Sequence, residues 1–124
     1  MPKRNEETES TDFNLTIVMG EITSEAVSRE LANGSVVTTF DVSTNTEGGR
    51  YTVPVSIEGD AIDAQVGQRV LVSGVTRRRF FRSGSGIASR TELLGDRVIP
   101  MRRKTQVERV ILQAITNLKE SARA

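Results

Sequence analysis

The side chains best suited to chemistry are concentrated in one run, Arg77-Arg78-Arg79-Phe80-Phe81-Arg82. A guanidinium is a planar fork of donors that fits phosphate oxygens, and an aromatic ring offers a face on which a base can stack. In an extended strand alternate residues share a face, so Arg77, Arg79 and Phe81 project together while Arg78 and Phe80 project oppositely. A surface that pairs arginines with a ring answers the two features of a single-stranded nucleic acid, its charged backbone and its exposed bases. Each stacked base contributes about 1–3 kcal/mol. Arg82 and Arg90 extend the positive path across the intervening loop, and Arg50, on an earlier strand, completes the candidate set. The competing reading is a solvated basic strand whose phenylalanines are core, and core is the place expected for Phe80.

Other chemistry is poorly provided for. The chain has no His and no Cys, which excludes a Ser-His triad, a thiolate nucleophile, a disulfide and a zinc ribbon. Gly84-Ser85-Gly86 has no Lys-Ser/Thr after it, so it is not a phosphate-cradling loop. Asp60 and Asp63 have no further ligands beside them for a hard cation. The expectation is a non-enzymatic protein with no cofactor, no metal and no small-molecule substrate.

The formal net charge of +1 conceals a division. Residues 1–63 carry four Lys/Arg against twelve Asp/Glu, net −8, and residues 64–124 carry thirteen against four, net +9. Such asymmetry points to a polyanionic partner, unless the two halves interleave in the fold and their charges pair. A hydrophobic content of 36% with 27% charged residues describes one ordinary globular domain. No apolar run approaches the roughly 20 residues of a membrane helix, and Met1-Pro2-Lys3-Arg4 leads into no secretory core. A cytoplasmic protein without a membrane partner is expected.

The elements that must position the arginines are mostly strands. Residues 1–12 are polar and read as a disordered arm. Phe13–Gly20 is β-rich, with Gly20 marking a bulge or bend, and Ala26–Leu31 continues towards Asn33-Gly34, a hairpin signal. Ser35–Thr44 places Val36, Thr38, Phe40 and Val42 on one face. Arg50–Ile57 places Tyr51, Val53, Val55 and Ile57 together, and Pro54 predicts an edge strand or a bulge. Gly59–Gln65 leaves room for one or two helical turns. Arg69–Arg82 and Ile87–Ile99 are the last strands, joined by a flexible Ser83–Gly86 tip. Five strands, a short helix between the third and fourth, and a loop between the fourth and fifth predict a mostly β OB-fold barrel over residues 13–100.

After Pro100 the period changes. Val107, Val110, Ile111, Ala114, Ile115 and Leu118 form one stripe of an amphipathic helix over 104–122, with Thr105-Gln106-Val107-Glu108 in capping-box form. That stripe is too apolar to stay in water, so it is expected to pack on the outside of its own barrel or against the same helix of a second subunit.

In order and spacing, residues 13–100 resemble the bacterial single-stranded DNA-binding proteins. Gly67–Phe81 is similar to that family's Gly turn and fourth strand, Phe13–Gly20 to its opening strand, Val37–Thr44 to its second, and Tyr51–Gly59 to its third. The resemblance implies single-stranded DNA as partner, a role in replication, recombination or repair, and a homo-dimer or homo-tetramer. It sets Phe81 at a stacking position and Arg77 and Arg79 at cationic ones. The departures imply a divergent paralogue. There is no Trp, Thr52 and Glu58 stand where the family has aromatics, and the chain ends in Ala122-Arg123-Ala124 rather than an acidic tail. A protein-interaction accessory domain of replication or restart, and an RNA-binding OB-fold, remain alternatives.

Overall fold

The computed structural model describes residues 12–59 and 62–123. Among these residues six strands, β1 (Thr16–Ile22), β2 (Val27–Glu30), β3 (Val36–Thr46), β4 (Gly49–Gly59), β5 (Arg69–Ser83) and β6 (Gly86–Pro100), precede one helix, α1 (Lys104–Arg123). The strand order is β1-β5-β6-β4-β3-β2, and an additional β1–β3 pairing closes the ring. β1 runs antiparallel to β5 from Thr16↔Gly74 to Glu21↔Arg69, then turns onto β3 at Glu21↔Ser43 and Ile22↔Val42. The turn demands a small residue. A Cβ on Gly20 would lie 2.2 Å from the Ser43 carbonyl oxygen, so only glycine lets the two backbones meet where the barrel closes.

The one parallel contact among the described residues is β4 with β6, Val55↔Leu93 through Ile57↔Gly95. A ring of five strands closed by this parallel pair is an OB-type barrel, made of β1, β3, β4, β5 and β6. β2 is an extra short strand on the free edge of β3. The barrel is filled by Ile22, Phe40, Val42, Val55, Ile57, Val70, Val72 and Leu93, all buried. β4 is therefore an interior strand, not the edge that Pro54 predicts. Its pairing with β6 begins at Val55, one residue beyond the proline.

Between β4 and β5 the expected short helix is not formed among the described residues. Ile62–Gln65 has no regular structure, and Asp60 and Ala61 lie outside the described residues, as does all of the proposed arm except Asp12.

Val70 and Val72 point into the barrel, so Leu71 between them points out. There it meets Ile99 and the first turns of α1, where Val107 and Val110 are buried. The helix thus packs on the outside of its own barrel. It starts at Lys104, with the Val107 amide donating to the Arg103 carbonyl at 3.0 Å, so Thr105 falls inside the first turn and the capping box is not made. Only the first half of the stripe is covered. Ile115 and Leu118 of its second half remain exposed, as does Leu112 outside the stripe. Among the described residues no helix is long and apolar enough to cross a membrane.

Candidate nucleic-acid interface

β5 and β6 are each fifteen residues long, and pair from Val70↔Pro100 to Ser83↔Gly86. Fifteen residues span about 50 Å. β1 covers β5 only as far as Gly74, and β4 covers β6 only from Leu93 to Gly95. The remainder, Arg77–Ser83 with Gly86–Glu92, runs on past the barrel as a two-stranded ribbon whose base, Arg77 and Glu92, still reaches β4. Its tip is a two-residue turn in which Gly84 takes φ +58, so the expected hairpin tip is present, with its strands paired up to the turn.

Two features set the ribbon's aim. The register slips by one residue at Ser73/Gly74, a bulge that bends β5 as it leaves the barrel. A Cβ on Gly74 would lie 2.0 Å from the Leu94 carbonyl oxygen. Opposite, the Asn14 side chain closes β1 against the ribbon's base. Its Nδ2 donates to the Thr76 carbonyl at 2.8 Å and its Oδ1 accepts from the Thr76 amide at 3.0 Å. The hydroxyls of Thr16 and Thr76 are hydrogen-bonded beside it.

One face of the ribbon carries Arg77, Arg79 and Phe81 on β5, across from Glu92, Arg90 and Ala88 on β6. The Arg79 guanidinium carbon lies 5.4 Å from the Phe81 ring centroid, a cation–π contact along the strand. Beneath the arginines sits Glu92, whose side chain has no solvent exposure. Arg77 donates its Nε to Glu92 Oε2 at 2.8 Å, Arg79 its Nε to Oε1 at 3.2 Å, and Ser56 on β4 its hydroxyl to Oε1 at 3.0 Å. Burial works to raise the Glu92 pKa, but the hydrogen bonds from Arg77, Ser56 and Arg79 outweigh it and hold the carboxyl below its ordinary range.

Arg77 is further committed, its Nη1 lying 3.3 Å from Glu58 Oε2. The arginine pair read from the sequence as a phosphate clamp is therefore largely neutralised by two carboxylates. Donation through Nε leaves the terminal nitrogens of Arg79 without a carboxylate partner, and Arg90 has none among the described residues. The terminal nitrogens of Arg79, the Arg90 guanidinium and the Phe81 ring are what this face has left to offer, a set chemically able to meet an anion and an aromatic base.

The other face carries Arg78, Phe80 and Arg82, across from Thr91, Ser89 and Ile87. Phe80 is 67% exposed and Ile87 76% exposed, so Phe80 is not core. The alternation of faces is as expected; nothing in the barrel reaches far enough to cover this one. Arg82 lies here rather than beside Arg79, so it does not extend the first face. Arg50 lies at the opposite end of β4, eight residues from Glu58 and about 27 Å along the strand, and is not brought into the group. On β4 between them, Thr52 shares a hydrogen bond of 3.2 Å with Ser43, and no aromatic occupies that face.

Sequence reasoning missed Glu92 and the exposure of Phe80. The first had a signal: from the pair Ser83↔Gly86 flanking the Gly84-Ser85 turn, six residues back is Arg77 and six forward is Glu92.

No family model and no curated protein matches the chain. Among solved structures it is similar to the Plasmodium falciparum SSB in its complex with ssDNA. The TM-score is 0.60 at 20% identity, over 72% of this chain and 95% of that one. The likeness is one of fold, the SSB-type OB barrel.

Proposed function

We propose that this protein binds single-stranded DNA, largely independently of sequence, and that it does so by contact rather than catalysis. The observation that carries the reading is the Arg79–Phe81–Arg90 group on a ribbon that runs on past an OB barrel, a fold also seen in the Plasmodium falciparum SSB complexed with ssDNA. Bases stack on the ring and phosphates meet the terminal guanidinium nitrogens. With few rings available, electrostatics supplies a large share of the affinity, which fits a role as a divergent paralogue of the bacterial single-stranded DNA-binding proteins in replication, recombination or repair.

The half-exposed stripe of α1 supports assembly into a homo-dimer or homo-tetramer. Action in the cytoplasm, where the DNA of a bacterium lies, goes with that reading. One observation favours a second: the neutralised Arg77 and the hydroxyl-lined face of β4 suit a protein-interaction OB domain of replication or restart better than a strong DNA binder.

Titrating labelled oligothymidylate, oligouridylate and a duplex of equal length, at low and physiological salt, separates the possibilities. The reading expects oligothymidylate to bind most tightly and to weaken with salt, at roughly 0.7 log units per log unit of salt for each phosphate contacted. No binding at low salt sends the protein to the interaction class, and preference for oligouridylate to the RNA class.

A further inference from the structure

The two faces of the ribbon differ in charge and cover, and the difference runs against the sequence reading. The Arg79 face holds three arginines, but Glu92 and Glu58 lie among them, leaving a net +1. The Phe80 face holds Arg78 and Arg82 with no carboxylate among its β6 neighbours Thr91, Ser89 and Ile87, a net +2. Arg78 donates only to the Ser89 hydroxyl at 3.1 Å, and Arg82 makes no ion pair with any described residue. Between them the Phe80 ring stands almost twice as exposed as Phe81, and no cation of the described residues lies over its face.

This large ring stands in water between two guanidinium groups that have no carboxylate partner, and among the described residues it belongs to neither core cluster. We infer that the Phe80 face is a second single-strand site, with Phe80 stacking on a base and Arg78 and Arg82 contacting the phosphates on either side. The inference rests on the single-strand reading of the ribbon. Arg78 and Arg82 are four residues apart on one strand face, about 14 Å, with the ring midway. Ile87, diagonal to Phe80, widens the apolar platform.

The two sites are a single sheet thickness apart. Beyond Thr76, β5 has no strand on its outer edge among the described residues, so a strand leaving Arg79 and Phe81 can cross that edge to Phe80. The ribbon then acts as a finger around which one strand passes, rather than as one wall of a groove.

The chain has no Trp, so Phe80→Trp and Phe81→Trp each introduce a single fluorophore. Titration of both with long and short oligothymidylates, beside Phe80→Ala and the pair Arg78→Ala/Arg82→Ala, tests the inference. It expects the long oligonucleotide to quench the indole of the Phe80→Trp variant as well as that of the Phe81→Trp variant. A loss of at least about fivefold in affinity is expected for Phe80→Ala. The double arginine variant should lower the salt slope by about 1.4. Thermal midpoints should not move, since Phe80 is exposed. Parent-like binding by Phe80→Ala, with no quenching in the Phe80→Trp variant, overturns the second site while the single-strand reading stands. Failure of the parent to bind at low salt removes both. Loss of self-association on sedimentation of Phe80→Ala, with affinity kept, shows a contact between copies and overturns the inference.

Discussion

Arg77 and Glu92 face each other directly across the β5–β6 ladder, Nε to Oε2 at 2.8 Å, and that pair turns a run of free positive charge into a braced one. The carboxylate is fully covered while the guanidinium stays near 30% exposed, so the cation shields the anion from water and keeps its own outer edge wet.

The brace is pH-dependent, with a sign fixed by the direction of the shift. Glu92 is depressed below its ordinary value of 4.5, so it contributes stability in full above about pH 4.5, and that contribution is lost as pH falls through the depressed value. Glu92→Gln should cost about 1.5–3 kcal/mol at neutral pH, the range for hydrogen bonds to charged groups. Thermal melts of parent and variant should converge as pH drops below 4.5. A gap that stays constant to strongly acid pH contradicts the assignment.

Glu58 holds Arg77 from the exposed side, where an ion pair contributes about 0–1 kcal/mol. Glu58→Gln should therefore leave the melting temperature nearly unchanged and tighten oligothymidylate binding a few-fold at low salt. In the parent, Arg79→Ala should weaken binding more than Arg77→Ala, because only Arg79 keeps its terminal nitrogens free of carboxylate. Fluorescence anisotropy reads both comparisons.

Gly74 is where β5 bulges out of the barrel. A methyl there would lie 2.0 Å from the Leu94 carbonyl oxygen, so the backbones of β5 and β6 must separate to admit it. Gly74→Ala should destabilise by about 1–3 kcal/mol or more, as overpacking does in closed cores. Gly86, which has nothing within 4 Å of an added Cβ, should accept Ala at far smaller cost. Chemical denaturation of the two variants checks the contrast.

The helix offers a separate test of assembly. Val107 and Val110 belong to the barrel's outer layer, whereas Ile115 and Leu118 are 44% and 47% exposed. Ile115→Glu with Leu118→Glu should lower the sedimented mass and leave the stability of the barrel within about 1 kcal/mol of the parent's. An unchanged mass shows that α1 is not an assembly element.

Period-two alternation makes the strands and their faces legible: Thr38, Phe40 and Val42 share a buried face, as do Val55 and Ile57, although Tyr51 in the β4 set is 57% exposed, and Gly20 falls at the bend. Alternation states which residues share a face but not whether anything covers it. Phe80 reads as core only if the barrel runs the length of its strand, and β5 outlasts both neighbours. The arginines' neutralisation depends on cross-strand register, which composition does not hold. In the helix, Thr105 and Glu108 suggest a cap, but the chain leaves Pro100 in a tight turn, with the Arg103 amide on the Pro100 carbonyl at 3.0 Å, and the helix begins sooner.

The most direct measurement of the central claim is a map of backbone amide shifts in the labelled full chain as oligothymidylate is added. The perturbed amides should cluster in Arg77–Ser83 and Gly86–Glu92, with the Arg50 end of β4 and the outer face of α1 silent. Perturbation concentrated on β3, β4 or α1, with the ribbon unchanged, contradicts the claim.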